Sequence, residues 1–139
     1  MKDNEFDSII NNLHDARVFG FLIERDYYSP DMSFILYVQI FSTYDFELDN
    51  YSLEKGLLIF ESAKIKKLSI VDDLYGGQFF IISIQYEKNC EDGYDFIFTF
   101  NDPAINLTLS AKKIRLKCSG NIKKVEVQYL ETNWSELLE

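Results

Sequence analysis

The stretch Ser33-Phe34-Ile35-Leu36-Tyr37-Val38-Gln39-Ile40-Phe41 decides the fold class. It is dense in β-branched and aromatic side chains, which pack well on a pleated surface and lose rotamer freedom in a helix. Upstream, Val18 to Asp26 has the same character, and the intervening Tyr27–Met32 segment holds Ser29, Pro30 and Asp31, three turn formers. The pair therefore predicts an antiparallel hairpin. Working downstream, Leu57 to Phe60, Lys64 to Val71, Gln78 to Tyr86, Gly93 to Phe100, Ile105 to Ala111, Lys112 to Cys118 and Ile122 to Leu130 repeat the style. Their spacing of about ten residues is the rhythm of a sandwich or barrel. The expected fold is all-β: a mainly antiparallel sandwich or partly open barrel of about seven to nine strands, in one domain over residues 1–139.

Two further hairpins carry register information. A two-residue turn at Gly120-Asn121 sets Leu116 against Val125, Ile114 against Val127 and Arg115 against Glu126, keeping apolar and polar faces apart. A turn at Ser119-Gly120 mixes the faces, so the first register is preferred, although it puts Lys117 opposite Lys124. In the other hairpin, Phe80, Ile82, Ile84 and Tyr86 alternate with Phe79, Ile81, Ser83 and Gln85, then Tyr94, Phe96, Phe98 and Phe100 follow the polar Asn89–Gly93 turn. A strand apolar on both faces is expected to be covered on both sides. Upstream of all strands, Phe6, Ile9, Ile10 and Leu13 recur at helical spacing, predicting a short amphipathic helix capped by Asp3 or Asn4. At the other end, Asn133 stands three residues before Glu136 and allows a C-terminal helical turn pinned by Trp134 and Leu137 or Leu138.

Composition narrows the function. The chain is 47% hydrophobic with 12 Phe, 9 Tyr and 1 Trp, too apolar for a disordered segment. A net charge of −9 argues against nonspecific binding to nucleic-acid phosphates as the main task and allows attraction to a basic partner. The excess is uneven: residues 1–111 carry −11 and residues 112–139 carry +2, which predicts an electrostatically polarised molecule. No apolar run is long enough to span a bilayer, so no membrane association is expected. The acidic opening Met1–Asp7 lacks the apolar region of a signal peptide and predicts a cytoplasmic protein whose Cys90 and Cys118 stay reduced.

The chemistry-bearing residues are few. Zinc sites take three or four His/Cys-rich ligands, and this chain has only His14, Cys90 and Cys118, without CxxC or HxxxH spacing, so no metal is expected. Asp72-Asp73-Leu74-Tyr75-Gly76-Gly77 has neither the alternate acids nor the twelfth-position Glu of a calcium loop, and leads into a strand rather than the helix that a phosphate loop needs. It reads as an exposed turn, and no cofactor motif occurs elsewhere. His14-Asp15 is the one place for acid–base work, because imidazole titrates near neutral pH. Neighbours in an extended segment point apart, so the pair reads as a junction between helix and first strand. More informative is the alternation Asp45, Glu47, Asp49 with Phe46 and Leu48, which lines three carboxylates along one side of an extended segment, with Tyr44, Tyr51 and Glu54 close by. Acid plus tyrosine suits a basic protein partner. The bland alternative, for this stripe and for the Lys112, Lys113, Arg115, Lys117, Lys123, Lys124 run, is a solvated face or a guarded strand edge.

Three segments add a resemblance: Leu13-His14-Asp15-Ala16-Arg17, then Leu58-Ile59-Phe60-Glu61-Ser62-Ala63-Lys64-Ile65-Lys66-Lys67-Leu68-Ser69-Ile70, then Leu107-Thr108-Leu109-Ser110-Ala111-Lys112-Lys113-Ile114-Arg115-Leu116. In these the chain resembles a group of small bacterial β-rich proteins with an N-terminal LHDA segment, some of them immunity proteins encoded near contact-dependent or secreted toxins. The resemblance implies binding rather than catalysis, and an acidic surface matched to a basic toxin. It brings no catalytic residue. The expected function is a non-enzymatic cytoplasmic protein-interaction domain of the toxin-neutralising kind, contacting its partner through Tyr44, Asp45, Glu47, Asp49, Tyr51 and Glu54. Two alternatives stand beside it: a small ligand-binding or hydrolytic β-barrel using His14 with Asp15, and a homo-oligomer built by pairing the Ile122–Leu130 edge with its twin.

Overall fold

The N-terminal apolar stripe forms helix α1, Lys2–Asn11. The computed structural model describes residues 2–25, 28, 31–45, 47, 50–70, 79–90, 93–120 and 123–125. Because α1 already includes Asp3 and Asn4, neither is the cap expected from the sequence. Phe6 and Leu13 are fully inside, and Ile9 and Ile10 pack against the same core. Phe6 meets Tyr94 and Tyr86 edge-on at 4.8 and 5.4 Å, and Tyr86 Oη donates to Asp7 Oδ1 at 2.8 Å. The helix is thereby clamped to one strand pair by aromatic edges and one hydrogen bond.

Among the described residues nine strands follow: β1 Arg17–Arg25, β2 Met32–Asp45, β3 Asn50–Glu61, β4 Lys64–Ser69, β5 Phe79–Lys88, β6 Tyr94–Phe100, β7 Asn106–Ala111, β8 Lys113–Cys118 and β9 Lys123–Val125. All their pairings are antiparallel, in the order β4-β7-β6-β5-β1-β2-β3-β8, with β9 also on β3. The fold is all-β with one short helix, as the sequence predicts. The predicted β1–β2 and β5–β6 hairpins both form, the latter with Ile84 opposite Phe98 and Tyr86 opposite Phe96.

The path folds into two leaves, β1-β2-β3-β8 and β5-β6-β7-β4, joined where Arg17 and Val18 pair with Phe80 and Phe79. A second junction lies at a corner. There β3 runs into β4 through Glu61-Ser62-Ala63, with Ser62 in the left-handed region (φ 53°), and β7 runs into β8 through Lys112. The two bent strands stay paired across the bend, Glu61 with Lys113 on one side and Lys64 with Ser110 on the other. Bent corners of this kind let strands switch leaves while burying one face of each. The ladder does not close, which makes this the partly open member of the expected pair. Between the leaves Phe60, fully buried, reaches Phe34 at 6.4 Å in its own leaf and Phe96 and Phe98 at 5.3 and 5.8 Å in the other.

Two expectations need correction. β5 is not covered on both faces: Ile81 and Ile84 are buried, but Ile82 is 42% exposed, because a register shift between Ile81 and Ser83 changes the phase of the strand. Burial on both faces belongs to β2 and β3, where Ile35, Leu57 and Ile59 form a second small cluster opposite the main core. Nor do β8 and β9 fold back on each other. Cys118 pairs with Gly56 and Lys123 with Leu53, so the chain continues along the same edge of β3. Gly120 (φ 81°) makes the jog, while Ser119 N–H donates to Lys55 O at 3.0 Å and Gly120 N–H to Glu54 Oε2 at 2.7 Å. Continuing pairs the Tyr51–Leu53 edge and keeps Lys117 and Lys124 apart, opposite Leu57 and Ser52. Asn121, Ile122 and everything after Val125, including the expected Asn133–Leu138 turn, lie outside the described residues.

Candidate functional site

The acid and tyrosine residues gather where β2 turns into β3. Tyr44 pairs with Tyr51 and Asp45 with Asn50, so residues 46–49 connect the two longest strands. Asp45 and Asn50 pair across the hairpin, and Phe46 and Leu48 of the extended run expected over Asp45–Asp49 lie outside the described residues. Glu47 is exposed in this turn, while Asp49 lies outside the described residues. Glu54 has a structural contact of its own. Its carboxylate accepts the Gly120 N–H and so holds the jog between β8 and β9. Burial, and then the Glu54 charge, push the Cys118 thiol above its ordinary value, leaving it protonated and a poor nucleophile.

The basic run does not stay in one place. Lys113, Arg115 and Lys117 lie along β8, and Arg115 Nε meets Glu61 Oε1 at 3.2 Å. Lys123 and Lys124 lie on β9, beside Leu53 and Ser52 near the acidic hairpin end. One cation of the run, Arg115, is thus paired across the ladder with an acid from the first part of the chain.

His14 and Asp15 come together after all. Asp15 takes a left-handed backbone (φ 65°), not the extended one assumed, and its Oδ2 lies 3.6 Å from His14 Nε2. His14 Nδ1 lies 3.0 Å from the Ile82 carbonyl, which only accepts, so Nδ1 is the donor. With side chains 67% and 52% exposed, this is a surface pair of the kind that contributes little. Ser83 lines the same shallow depression without a hydrogen bond to the imidazole.

A feature that sequence reasoning missed lies between the leaves. A cleft of about 220 Å³ is lined by Phe21, Phe34 and Leu36 from β1 and β2, by Leu68 and Ile70 at the end of β4, and by Leu107. Phe21, Leu68 and Ile70 are 42%, 37% and 44% exposed, an unusual clustering of large apolar side chains in solvent. Period-two patterning assigns each residue to a strand face, but cannot say that the end of β4 faces the edge of β1, which is 43 or more residues away in sequence.

Among the described residues no group of three His, Cys, Asp or Glu is placed to hold a metal ion, and no helix is long and apolar enough to cross a membrane. Asp72–Gly77 lies outside the described residues. The described frame defines a mainly antiparallel, partly open β-domain. Comparison with protein-family models, curated proteins and solved structures finds no match to this chain.

Proposed function

We propose that this chain is a non-enzymatic protein-interaction domain that binds a basic protein through the β2–β3 hairpin end. The supporting observation is the register: pairing of Tyr44 with Tyr51 and Asp45 with Asn50 puts two tyrosines and Asp45 at one end of the hairpin, next to the exposed turn residue Glu47. Carboxylates steer a cationic partner and speed association, whereas tyrosines supply large contact area at low entropic cost. Glu54 supports the surface from behind by fixing the β8–β9 jog. The resemblance carried by Leu13–Arg17 and by the two later segments extends the proposal to a toxin-neutralising immunity protein of the bacterial cytoplasm, masking a basic toxin by occlusion.

The test is recovery of the partner from the source organism, followed by calorimetry with the purified pair. Neutralising Asp45→Asn, Glu47→Gln and Asp49→Asn together is expected to weaken binding at least about tenfold and to flatten its salt dependence. The thermal midpoint of the variant alone should hardly move. Unchanged affinity overturns the assignment.

A further inference from the structure

The geometry assigns a cation site to the His14–Asp15 pair, which the proposed partner surface does not use: His14 Nε2 and Asp15 Oδ2 are two ligands of a divalent metal ion of the zinc type, with water in the remaining positions.

Both donors are positioned from one strand. The register shift between Ile81 and Ser83 leaves Ile82 without a partner on β6, and its carbonyl accepts the His14 Nδ1–H at 3.0 Å. Next to it, Ile81 O accepts the Asp15 N–H at 2.9 Å, and Ile81 N–H donates to Ala16 O at 2.9 Å. Bulges recur beside functional sites because they interrupt pairing and re-aim side chains. Here the unpaired carbonyl selects the tautomer: with the proton on Nδ1, Nε2 of the neutral ring is an electron-pair donor. An imidazole whose other nitrogen donates to a carbonyl is the ordinary arrangement of a metal-ligating histidine, its ring held in place by that outer hydrogen bond. Asp15 is brought round to the same side by its left-handed backbone (φ 65°), a conformation uncommon outside glycine. The sequence places neighbouring side chains apart, which is why a count of His and Cys alone passes over this pair.

The spacing decides what fits between the two donors. A charge-assisted N–H···O⁻ bond is about 2.7–2.9 Å long, so at 3.6 Å imidazole and carboxylate do not hydrogen-bond directly. Zinc bonds of about 2.0–2.2 Å to each atom span 3.6 Å at an angle of about 110–130°, which is tetrahedral or slightly wider. The right angle of a square-planar copper(II) site would draw the donors to about 3.0 Å. Side chains 67% and 52% exposed are open to an ion from solution, and among the described residues neither makes another hydrogen bond or ion pair. Two protein ligands are fewer than a structural or catalytic zinc centre uses, so the ion exchanges with solution and the fold stands without it.

The chain has a single histidine, so its imidazole signals need no assignment. In a Cys90→Ser, Cys118→Ser background, which removes competing thiols, calorimetric titration of the full chain with zinc is expected to show one site. His14→Ala should abolish it. Asp15→Asn keeps a residue that tolerates the left-handed backbone and should weaken binding at least tenfold. Glu87→Gln, an exposed acid elsewhere on β5, should leave it unchanged. In long-range nitrogen–proton NMR spectra, zinc should shift Nε2 while Nδ1 keeps its proton. Absence of binding, binding indifferent to His14→Ala, or coordination through Nδ1 overturns the proposal. So does an equal loss in Glu87→Gln and Asp15→Asn, which marks diffuse attraction to an acidic chain. None of these results depends on the acidic hairpin end.

Discussion

Asp95 shows how a residue of no apparent consequence in the sequence becomes a fixed point of the fold. A register shift between Ile65 and Lys67 displaces Lys66 out of the β4 ladder, and its Nζ reaches Asp95 Oδ1 on β6 at 2.9 Å. Asn89 Nδ2 donates to the same oxygen at 3.1 Å, and Asn89 Oδ1 accepts from Gly93 N–H, tying the carboxylate to the β5–β6 turn. The Asn89 hydrogen bond, then the Lys66 hydrogen bond, hold the Asp95 carboxyl below its ordinary value of 3.8. A carboxyl more acidic in the folded chain than in the unfolded one stabilises folding fully above the unfolded value and loses that contribution as pH falls through the folded one. Urea unfolding as a function of pH should therefore show wild type losing stability below pH 3.8, with Asp95→Asn flatter over that window. At neutral pH the variant should be less stable by about 1 kcal/mol or less, as suits a half-exposed lysine partner. Equal acid limbs for the two proteins would refute the assignment. Nothing in the spacing of Lys66, Asn89 and Asp95 announces this trio, because a bulge brings it together.

At the scale of elements, local patterns were readable and long-range choices were not. The β1–β2 and β5–β6 hairpins are visible because turn residues sit between two apolar alternations, and α1 because Phe6, Ile9, Ile10 and Leu13 share a face. The expected strands Ser33–Phe41 and Leu57–Phe60 stop short of β2 and β3 because Thr43, Tyr44, Asn50 and Ser52 break the apolar run. Those residues pair nonetheless, each strand supplying the other with backbone partners. The β8–β9 jog is the sharpest case. Leu116 facing Val125 is locally as good as any hairpin, but the free edge of β3 at Tyr51–Leu53 competes for the same strand and wins. Gly120 makes this possible, with φ 81° and open space around its α-carbon. Gly120→Ala should therefore destabilise by about 1 kcal/mol through backbone strain alone, and Gly120→Asn by less, since Asn tolerates the left-handed region. Chemical denaturation of the two variants measures the difference; a neutral Gly120→Ala would place the jog elsewhere.

Across the whole molecule, the location of positive charge in an acidic chain follows the sheet path. The path ends at β4 and β8, strands that approach each other at the Glu61–Lys64 corner, and both are lysine-rich while the chain as a whole is −9. Net charge and edge guarding make opposite forecasts for one variant. Replacing Lys64, Lys67, Lys113 and Lys117 by Thr removes four positive charges and takes the net charge from −9 to −13. If self-repulsion governs solubility, that protein is the more soluble one. If lysines protect open ladders, β-favouring Thr on the two strands that end the described sheet path promotes strand-to-strand association despite the larger charge. The second outcome is expected, seen as rising light scatter and thioflavin fluorescence at concentrations where wild type stays clear. Glu at the same four positions restores a charged edge and should remain soluble. A quadruple Thr variant as clear as wild type would mean that these lysines are only solvated surface. The two edges would then be held apart from neighbours by twist, not charge.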